Sequence, residues 1–252
     1  MSGHSKWATT KHRKAAVDAK RSALFSKLTR VITVAAKTGG DPNPENNAAL
    51  AAAIAKAKSY SLPKDKIDVA IKKAFGAGAD DAAFEEVVYE GYGPAGVAIY
   101  IEALTDNRNR TAADVRAAFT KAGGNLGATG SVAFQFERKG EIAIDRAGAP
   151  DEEEMFLLVA DAGGEDMESG EDSYVVYTAP MDVMAVKSAL ETAGVPVKGA
   201  ELVMEPTTPT SVTVEEAKKV LRLVDRLEES DDIQTVYHTM ELTDEIAAAL
   251  EE

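Results

Sequence analysis

Cations cluster at the amino-terminal end of a chain that is otherwise acidic. The first 38 residues carry nine Lys or Arg and one acid, Asp18, although the formal net charge of the 252-residue chain is -14. Up to Phe75 there are fifteen bases and five acids, whereas residues 76–252 hold thirteen bases and thirty-seven acids. Lys and Arg neutralise phosphates and release bound counterions, so this end predicts contact with a polyanion. A solvated basic helix without a partner is the alternative.

The same end supplies other side chains that nucleic-acid recognition uses. Hydroxyls hydrogen-bond phosphate oxygens, and Trp7 could either stack on an unpaired base or pack on a helical core. The bases between residues 13 and 37 are spaced to form a stripe away from the apolar face of a helix. We therefore predict a binding set that fits DNA and RNA equally: His4, Ser5, Lys6, Trp7, Lys11, His12, Arg13, Lys14, Lys20, Arg21, Lys27 and Arg30.

A second candidate is the polar segment 105–111, which leaves a predicted strand and enters a helix. Arg108 and Arg110 could clamp phosphates beside the amino terminus of that helix. In the alternative, Asp106 and Asn107 bond backbone amides and the arginines pair with nearby carboxylates.

A third, glycine-rich segment at residues 123–131 resembles a phosphate cradle superficially. No Gly-Lys-Ser or Gly-Lys-Thr follows it, and no strand feeds it directly, so a nucleoside-triphosphate site is not expected. Its glycines are better suited to a helix cap and a tight crossing between domains.

Enzymatic chemistry has no local signature. The chain has no cysteine and three scattered histidines, which excludes thiolate nucleophiles and gives no support to a zinc site. Neither a Gly-x-Ser-x-Gly elbow nor a His-Glu-x-x-His helix is present. A magnesium-dependent nuclease using Asp106 with Glu90 or Glu102 is the minor alternative. We predict a non-enzymatic protein without metal or cofactor, and, since no apolar run is long enough for a membrane span or a secretory signal, a cytoplasmic one.

Three helices are predicted in the basic region. Apolar residues at helical spacing indicate a helix over residues 15–37 that Gly39-Gly40 ends, and an alanine-rich helix follows over residues 47–59. A third helix begins near Pro63 and buries its apolar face against the other two. Residues 76–79 are a Gly-Ala-Gly-Ala linker, at which the charge changes sign.

Strand periodicity begins beyond the linker. Strands at residues 87–90 and 97–103 predict a β-hairpin with its turn at Gly91-Tyr92-Gly93-Pro94. Thr111 with Asp114 predicts a capping box for the next helix, which Gly123-Gly124 closes.

Residues 131–206 have the order β-α-β-β-α-β, which is the ferredoxin-like signature. Acids 151–154 open its first helix, where carboxylates suit the positive end of the helix dipole. The amphipathic helix and short strand that follow need a sheet to join, and they are predicted to complete the interrupted β-β-α segment.

We therefore predict an α+β protein with an amino-terminal three-helix domain and two α/β domains, at least one ferredoxin-like and the last inserted into the middle one. The expected domains are a basic helical domain at 1–77, a discontinuous α/β domain at 78–131 plus 207–252, and an acidic ferredoxin-like domain at 132–206.

Several long motifs resemble the YebC/PmpR family nearly from end to end. They are Ser2-Gly3-His4-Ser5-Lys6-Trp7, Lys11-His12-Arg13-Lys14, Asp18-Ala19-Lys20-Arg21, Tyr89-Glu90-Gly91-Tyr92-Gly93-Pro94, residues 105–111, Gly123-Gly124-Asn125-Leu126-Gly127 and Gly130-Ser131-Val132. The resemblance implies three domains and a cytoplasmic protein without known catalysis. The chain departs from the family at residues 45–50, where arginines are usual, and at Ser61-Leu62-Pro63, where Asn-Met-Pro is common. The second helix is therefore expected to contribute less to binding.

The resemblance also implies a function, for which the family offers two versions. Members are labelled probable transcriptional regulators because some bind promoter DNA, while a mitochondrial relative activates translation and bacterial members are implicated at the ribosome. We predict a monomeric, non-enzymatic nucleic-acid-binding regulator of gene expression that does not bind membranes. The alternatives are a ribosome-associated factor that binds rRNA and aids synthesis of proline-rich stretches, and a protein-interaction module whose basic arm binds an acidic partner.

Overall fold

The computed structural model describes residues 17–76 and 84–251, with side-chain positions over 22–76 and 84–250. Two compact units divide the chain. The first unit comprises the described residues up to Ala133 together with Glu215–Val236, and the second comprises Phe134–Val214 together with the residues from Tyr237 onward. The three-domain boundaries inferred from the sequence stay a prediction. No helix within the described ranges is long and apolar enough to cross a lipid bilayer.

Three helices open the described part of the first unit, as the apolar spacing predicted. They are α1 (Val17–Gly39), α2 (Ala48–Ser59) and α3 (Lys64–Ala74). Their buried faces share one core, formed by Leu28, Ile32, Ala36, Leu50, Ala53, Ala57, Leu62, Ile67, Ala70 and Ala74. Asn47 ties α2 to α1, because its Oδ1 accepts from the Leu50 amide at 3.0 Å and its Nδ2 donates to the Ala35 carbonyl at 2.9 Å.

The remaining elements follow in the order β1 (Glu85–Tyr92), β2 (Ala98–Thr105), α4 (Arg108–Ala122), β3 (Asn125–Leu126), β4 (Phe136–Asp145), α5 (Glu152–Ala162), β5 (Asp166–Ser169), β6 (Ser173–Thr178), α6 (Val183–Thr192), β7 (Val197–Pro206), α7 (Val214–Glu228), β8 (Ile233–His238) and α8 (Asp244–Glu251). The strands form two four-stranded sheets, ordered β3-β1-β2-β8 and β5-β6-β4-β7. The predicted α+β class is confirmed.

The hairpin of β1 and β2 is confirmed, but the predicted position of its turn is wrong. Gly91 lies opposite Ile99 in the ladder, so it belongs to β1, and the turn closes where the Gly93 amide donates to the Val97 carbonyl at 2.8 Å. Gly91 serves the sheet instead, since a Cβ there would lie 2.6 Å from the Asn125 carbonyl oxygen in β3. Only glycine permits that close approach.

The predicted capping box at Thr111 is also wrong, because α4 begins about one turn earlier. Asn107 is the N-cap, and its Oδ1 accepts from the Arg110 amide at 3.0 Å. Asn caps a helix at least as well as Thr, so the earlier residue takes the position. The end of α4 matches the prediction, since Gly123 adopts the left-handed conformation at φ 79°.

The second sheet confirms the ferredoxin-like prediction. The pairs β4/β6, β4/β7 and β5/β6 are antiparallel, and the order β5-β6-β4-β7 with two helices is that of the β-α-β-β-α-β fold. The core beneath α5 and α6 is formed by Ile142, Ile144, Met155, Val159, Tyr174, Val176, Val183, Val186, Leu190 and Val195. Because β8 joins the first sheet beside β2, the ferredoxin-like segment is an insertion, as predicted.

Candidate nucleic-acid interface

The structure describes only part of the predicted nucleic-acid-binding set. Eight members lie outside the described residues: His4, Ser5, Lys6, Trp7, Lys11, His12, Arg13 and Lys14. Lys20 and Arg21 lie in α1, but their side chains are outside the described positions. Contacts can be traced at the remaining four members, which are Lys27, Arg30, Arg108 and Arg110.

Lys27 was predicted to lie on an exposed basic stripe, and this prediction is wrong. The residue is only 8% exposed, and its Nζ donates to the carbonyl of Glu228 at 2.7 Å. Glu228 is the last residue of α7, so the ammonium occupies the negative end of that helix dipole. Lys27 therefore holds α1 against α7 and does not face solvent.

Arg30, one turn further along α1, is also engaged within the protein. Its Nη1 donates to Asp232 Oδ1 at 2.6 Å, to the Asp231 carbonyl at 3.0 Å and to the Leu104 carbonyl at 3.1 Å. The guanidinium also lies 5.0 Å from the centre of the Phe84 ring. Its predicted place on the outward stripe is contradicted by these contacts, which join α1 to β2 and to the start of β8.

Asp232 is the centre of this contact network. Its Oδ2 accepts from Arg110 Nη2 at 2.8 Å, from Thr111 Oγ1 at 2.8 Å and from Thr105 Oγ1 at 3.2 Å. We call the five residues Arg30, Thr105, Arg110, Thr111 and Asp232 the Asp232 cluster. Arg110 also pairs with Asp106 at 2.8 Å. The structure therefore places Arg110 in the alternative arrangement, in which the arginine pairs with carboxylates.

Two members of the Asp232 cluster, Asp232 and Arg110, have shifted pKa values. Burial by itself would raise the pKa of Asp232, but hydrogen bonds from Arg110, Thr111 and Arg30 outweigh it and lower the pKa to about 2. The hydrogen bonds to Asp232 and Asp106 raise the pKa of the Arg110 guanidinium above its ordinary value. Asp232 and Arg110 are thus both ionised at neutral pH, and Arg110 has two carboxylates already bound to it.

Arg108 differs from its neighbour. Its side chain is exposed, and among the described residues no carboxylate forms an ion pair with it. The carbonyl of Arg108 accepts from the Tyr89 hydroxyl at 3.1 Å, and burial raises the pKa of Tyr89, which keeps the phenol protonated as a donor. Arg108 is therefore positioned by its backbone while its guanidinium remains accessible at the amino terminus of α4.

A group of exposed lysines on α2 and α3 was not among the predicted binding residues. We call them the outer lysines: Lys58, Lys64, Lys66, Lys72 and Lys73. All five are exposed, and within the described ranges none forms an ion pair with a carboxylate. Ile67, Ala70 and Ala74 bury the inner face of α3, so the helical period turns Lys66, Lys72 and Lys73 outward. The spacing of seven residues between Lys66 and Lys73 was the available sequence signal.

The glycine-rich segment is organised by an internal anion. Glu90 is 3% exposed, and its carboxylate accepts from the amides of Gly130 at 2.6 Å, Val132 at 2.8 Å and Ala133 at 2.8 Å. The Glu90 carbonyl also accepts from the Gly127 amide at 2.7 Å. The amides that would cradle a phosphate are thus already bound to a carboxylate of the protein.

The same contacts bear on the nuclease alternative. Both oxygens of Glu90 accept backbone hydrogen bonds, and Asp106 is paired with Arg110. Within the described part of the chain, no three His, Asp or Glu side chains come together as a metal-binding group. Glu90 therefore positions a loop, and the geometry offers it no coordination role.

Comparison with known proteins gives matches over both units. A model described as the TACO1/YebC protein N-terminal domain matches residues 5–77, and one described as the TACO1/YebC second and third domain matches residues 84–240. These matches confirm the resemblance inferred from the motifs.

Relatives match the chain along its full length. A protein of Bifidobacterium animalis subsp. lactis is 49% identical over 100% of both chains, and one of Lactobacillus acidophilus is 52% identical over 94% of this chain and 97% of its own. Both are named probable transcriptional regulatory proteins. The crystal structure of a conserved hypothetical protein from Aquifex aeolicus superposes with a TM-score of 0.84 at 46% identity, covering 96% of this chain and 98% of that one.

Proposed function

Since this chain belongs to the TACO1/YebC family, we propose that it is a non-enzymatic, nucleic-acid-binding regulator of gene expression that contacts phosphates through its amino-terminal helical region. The observation that carries the proposal is the exposure of the outer lysines without carboxylate partners among the described residues. Lys66 Nζ also lies 5.2 Å from the centre of the Phe25 ring, a contact that does not neutralise its charge. An ammonium group without a carboxylate partner is available to displace counterions from a phosphate backbone. The names of the relatives support a regulatory role over an enzymatic one.

The charge distribution confines the contact to one end of the chain. Residues 22–76 hold nine Lys or Arg and four Asp or Glu, whereas the remainder beyond Phe75 is strongly acidic. A negative body is repelled by a polyanion, so only the basic end can approach it closely. Arg108 adds an accessible cation at the helix α4 amino terminus, and the predicted residues from His4 to Lys14 extend the same basic end.

The side chains on α2 and α3 favour phosphate contact over base reading. Neither helix contains Asn or Gln, which make bidentate hydrogen bonds to adenine, or Arg, whose planar guanidinium matches guanine and phosphate better than an ammonium does. Lysines supply charge that positions a protein on the backbone without selecting sequence. Contact with phosphates without base reading fits structured rRNA as well as duplex DNA, so the second candidate function is the one that the family resemblance implies: a cytoplasmic, monomeric factor that binds rRNA at the ribosome and aids synthesis of proline-rich stretches.

Binding of labelled RNA and duplex DNA, measured by fluorescence anisotropy across a salt series, tests the proposal. The Lys66→Glu/Lys73→Glu variant should weaken binding to all sequences alike and lower the slope of log affinity against log salt by about two, roughly one for each lost phosphate contact. Lys121→Glu/Lys219→Glu is the matched control, since both lysines are exposed and lie outside the helical bundle. Equal effects of the two double variants would refute the assigned surface.

Co-sedimentation with ribosomes separates the two versions of the function. If the wild type follows ribosomes despite excess duplex DNA and Lys66→Glu/Lys73→Glu does not, the protein is a translation factor. If DNA strips it from ribosomes and a discrete sequence is protected, it is a transcriptional regulator. Competition by an acidic polypeptide as strong as that by RNA would instead indicate a protein-interaction module.

A further inference from the structure

The second unit carries an exposed apolar groove beside α5. Phe156 is 57% exposed and Leu157 is 60% exposed, although both lie in the middle of an ordered helix. Together with Met167 of β5 and the carboxylates Glu152 and Glu153 they line a groove of about 640 Å³. Two adjacent large apolar side chains that are more than half exposed, rimmed by charge, are typical of an interaction surface.

The helix next to this groove is also apolar on its outside. Helix α6 packs against α5 and exposes Met184 at 62%, and Met181 just before it is 92% exposed. Methionine side chains are flexible and polarizable, and they adapt to apolar partners of different shapes. Neither methionine lines the groove, so the exposed apolar side chains at α6 are separate from it.

The charge around the groove identifies the chemistry of its occupant. Residues 134–214 contain seventeen Asp or Glu and five Lys or Arg. Four of those bases, Lys139, Arg146, Lys187 and Lys198, are already paired with carboxylates of the same unit. Of the two carboxylates at the mouth of the groove, Glu152 is itself the partner of Arg146 at 3.8 Å and accepts from Ser169 Oγ at 3.0 Å. Glu153 forms no ion pair within the described ranges, so it is the carboxylate that adds to the surplus of negative charge a cationic partner would neutralise.

Local helix chemistry does not account for the whole arrangement. Carboxylates in the first turn of α5 stabilise the positive end of its dipole, and this alone explains Glu152, Glu153 and Glu154. It does not explain why Phe156 and Leu157 are exposed one turn later on the same helix. Glu153 precedes Phe156 by three residues and Leu157 by four, so it lies one turn away on the same helix. A ligand that presents apolar and basic side chains one turn apart would match this arrangement.

The edge of the sheet favours a helical ligand over an extended one. β5 is the outermost strand of its sheet, but the Met167 amide donates to the Asp166 carboxylate at 2.8 Å. A charged side chain that satisfies an edge amide blocks strand addition. A helix needs no backbone bonds from its partner and can lay its apolar face into the groove.

We infer that the groove formed by Glu152, Glu153, Phe156, Leu157 and Met167 is a docking site for a basic amphipathic helix of a partner protein. The partner places apolar side chains about one turn apart against Phe156 and Leu157, and Lys or Arg against Glu153, the carboxylate that no described cation pairs with. This inference is independent of the proposed nucleic-acid contact, which lies in the first unit. The protein would then recruit a cationic protein through one unit while the other holds a nucleic acid.

The test uses the full chain and a fluorescently labelled amphipathic peptide of Leu and Lys, with a Leu and Glu peptide of the same pattern as the charge control. The wild type should bind the Leu and Lys peptide, and Phe156→Ser/Leu157→Ser should weaken that binding at least about tenfold. Met181→Ser, which removes an exposed apolar side chain of the same unit outside the groove, should leave the affinity unchanged. Because all three side chains are exposed, thermal unfolding should show that both variants are folded.

Several outcomes would overturn the inference. Wild-type affinity in Phe156→Ser/Leu157→Ser, or equal binding of the Leu and Glu peptide, would show that the groove is not the site. Self-association that the double substitution abolishes would assign the groove to a second copy of the chain. If the peptide bound to the Lys11→Glu/Arg13→Glu/Lys14→Glu variant but not to the wild type, the occupant of the groove would be the basic segment of the chain itself and not a partner protein. RNA affinity, measured in parallel, should be the same in Phe156→Ser/Leu157→Ser as in the wild type.

Discussion

The cations of the Asp232 cluster and the outer lysines occupy the same unit, yet they differ in what lies opposite them. Arg30 and Arg110 contact a carboxylate whose side chain is 9% exposed, and Lys27 contacts the end of α7. The outer lysines face solvent, with no carboxylate partner among the described residues. A buried charge must be paired, whereas an exposed one is stabilised by water and remains available to a ligand.

This difference separates cations that hold the fold from cations that can bind. By charge alone, Lys27, Arg30 and Lys66 are equivalent members of a basic region. The acceptors that distinguish them, Glu228 and Asp232, lie about two hundred residues further along the chain. The number of Lys and Arg in a basic stretch therefore overestimates the number available for binding, because distant residues hold some of them within the fold.

Removing the Asp232 carboxylate should have the largest effect on stability. Asp232→Ala leaves Arg30 and Arg110 without their shared acceptor and should lower the free energy of unfolding by about 3 kcal/mol, the low end for a broken buried pair because Arg110 is half exposed. Urea denaturation measures the change. Asp231→Ala is the matched control, since Asp231 is exposed and offers Arg30 only its backbone carbonyl; it should alter stability by less than about 0.5 kcal/mol. Similar losses in both variants would contradict the role given to the cluster.

The pH dependence of stability tests the same carboxylate without removing it. The pKa of Asp232 is lowered from 3.8 to about 2 in the fold, so its stabilising contribution is complete above pH 3.8 and is lost as the pH falls through about 2. Relative to Asp232→Asn, the wild type should lose about 2 kcal/mol of unfolding free energy between pH 5 and pH 2. Parallel pH profiles of the two proteins would show that Asp232 has no special ionisation.

The smallest expected effect distinguishes Lys27, which holds two helices together, from Lys73, one of the outer lysines. Lys27→Met removes the donor to the Glu228 carbonyl and should lower stability by about 1 kcal/mol, while Lys73→Met should change it by less than about 0.5 kcal/mol. Nucleic-acid affinity should respond in the opposite order, with Lys73→Met reducing the salt dependence and Lys27→Met leaving it unchanged. Urea denaturation measures the stability of the two variants, and fluorescence anisotropy measures their nucleic-acid affinity. If the same variant showed the larger loss in both measurements, structural and binding lysines would not be separate groups.

Local patterns predicted most of the fold because helices and strands depend on neighbouring residues. Helix α5 and the element order of the ferredoxin-like unit follow from periodicity and from the acidic run 151–154, which suits the positive end of the helix dipole. The errors lie where two local signals compete, as at Asn107 and Thr111, or where a distant strand imposes a requirement, as at Gly91. The candidate site was harder to predict, since the roles of Lys27 and Arg30 depend on residues that only the tertiary fold brings near them.

The Glu90 contacts determine how the glycine-rich segment responds to phosphate compounds in solution. A carboxylate tethered within the same chain is present at a fixed and high effective concentration, whereas free phosphate or nucleotide must compete from solution. Displacing Glu90 would also leave its buried carboxylate without the three amide donors that stabilise it. The segment should therefore keep one conformation at any concentration of phosphate or nucleotide, so it does not act as a sensor of these compounds.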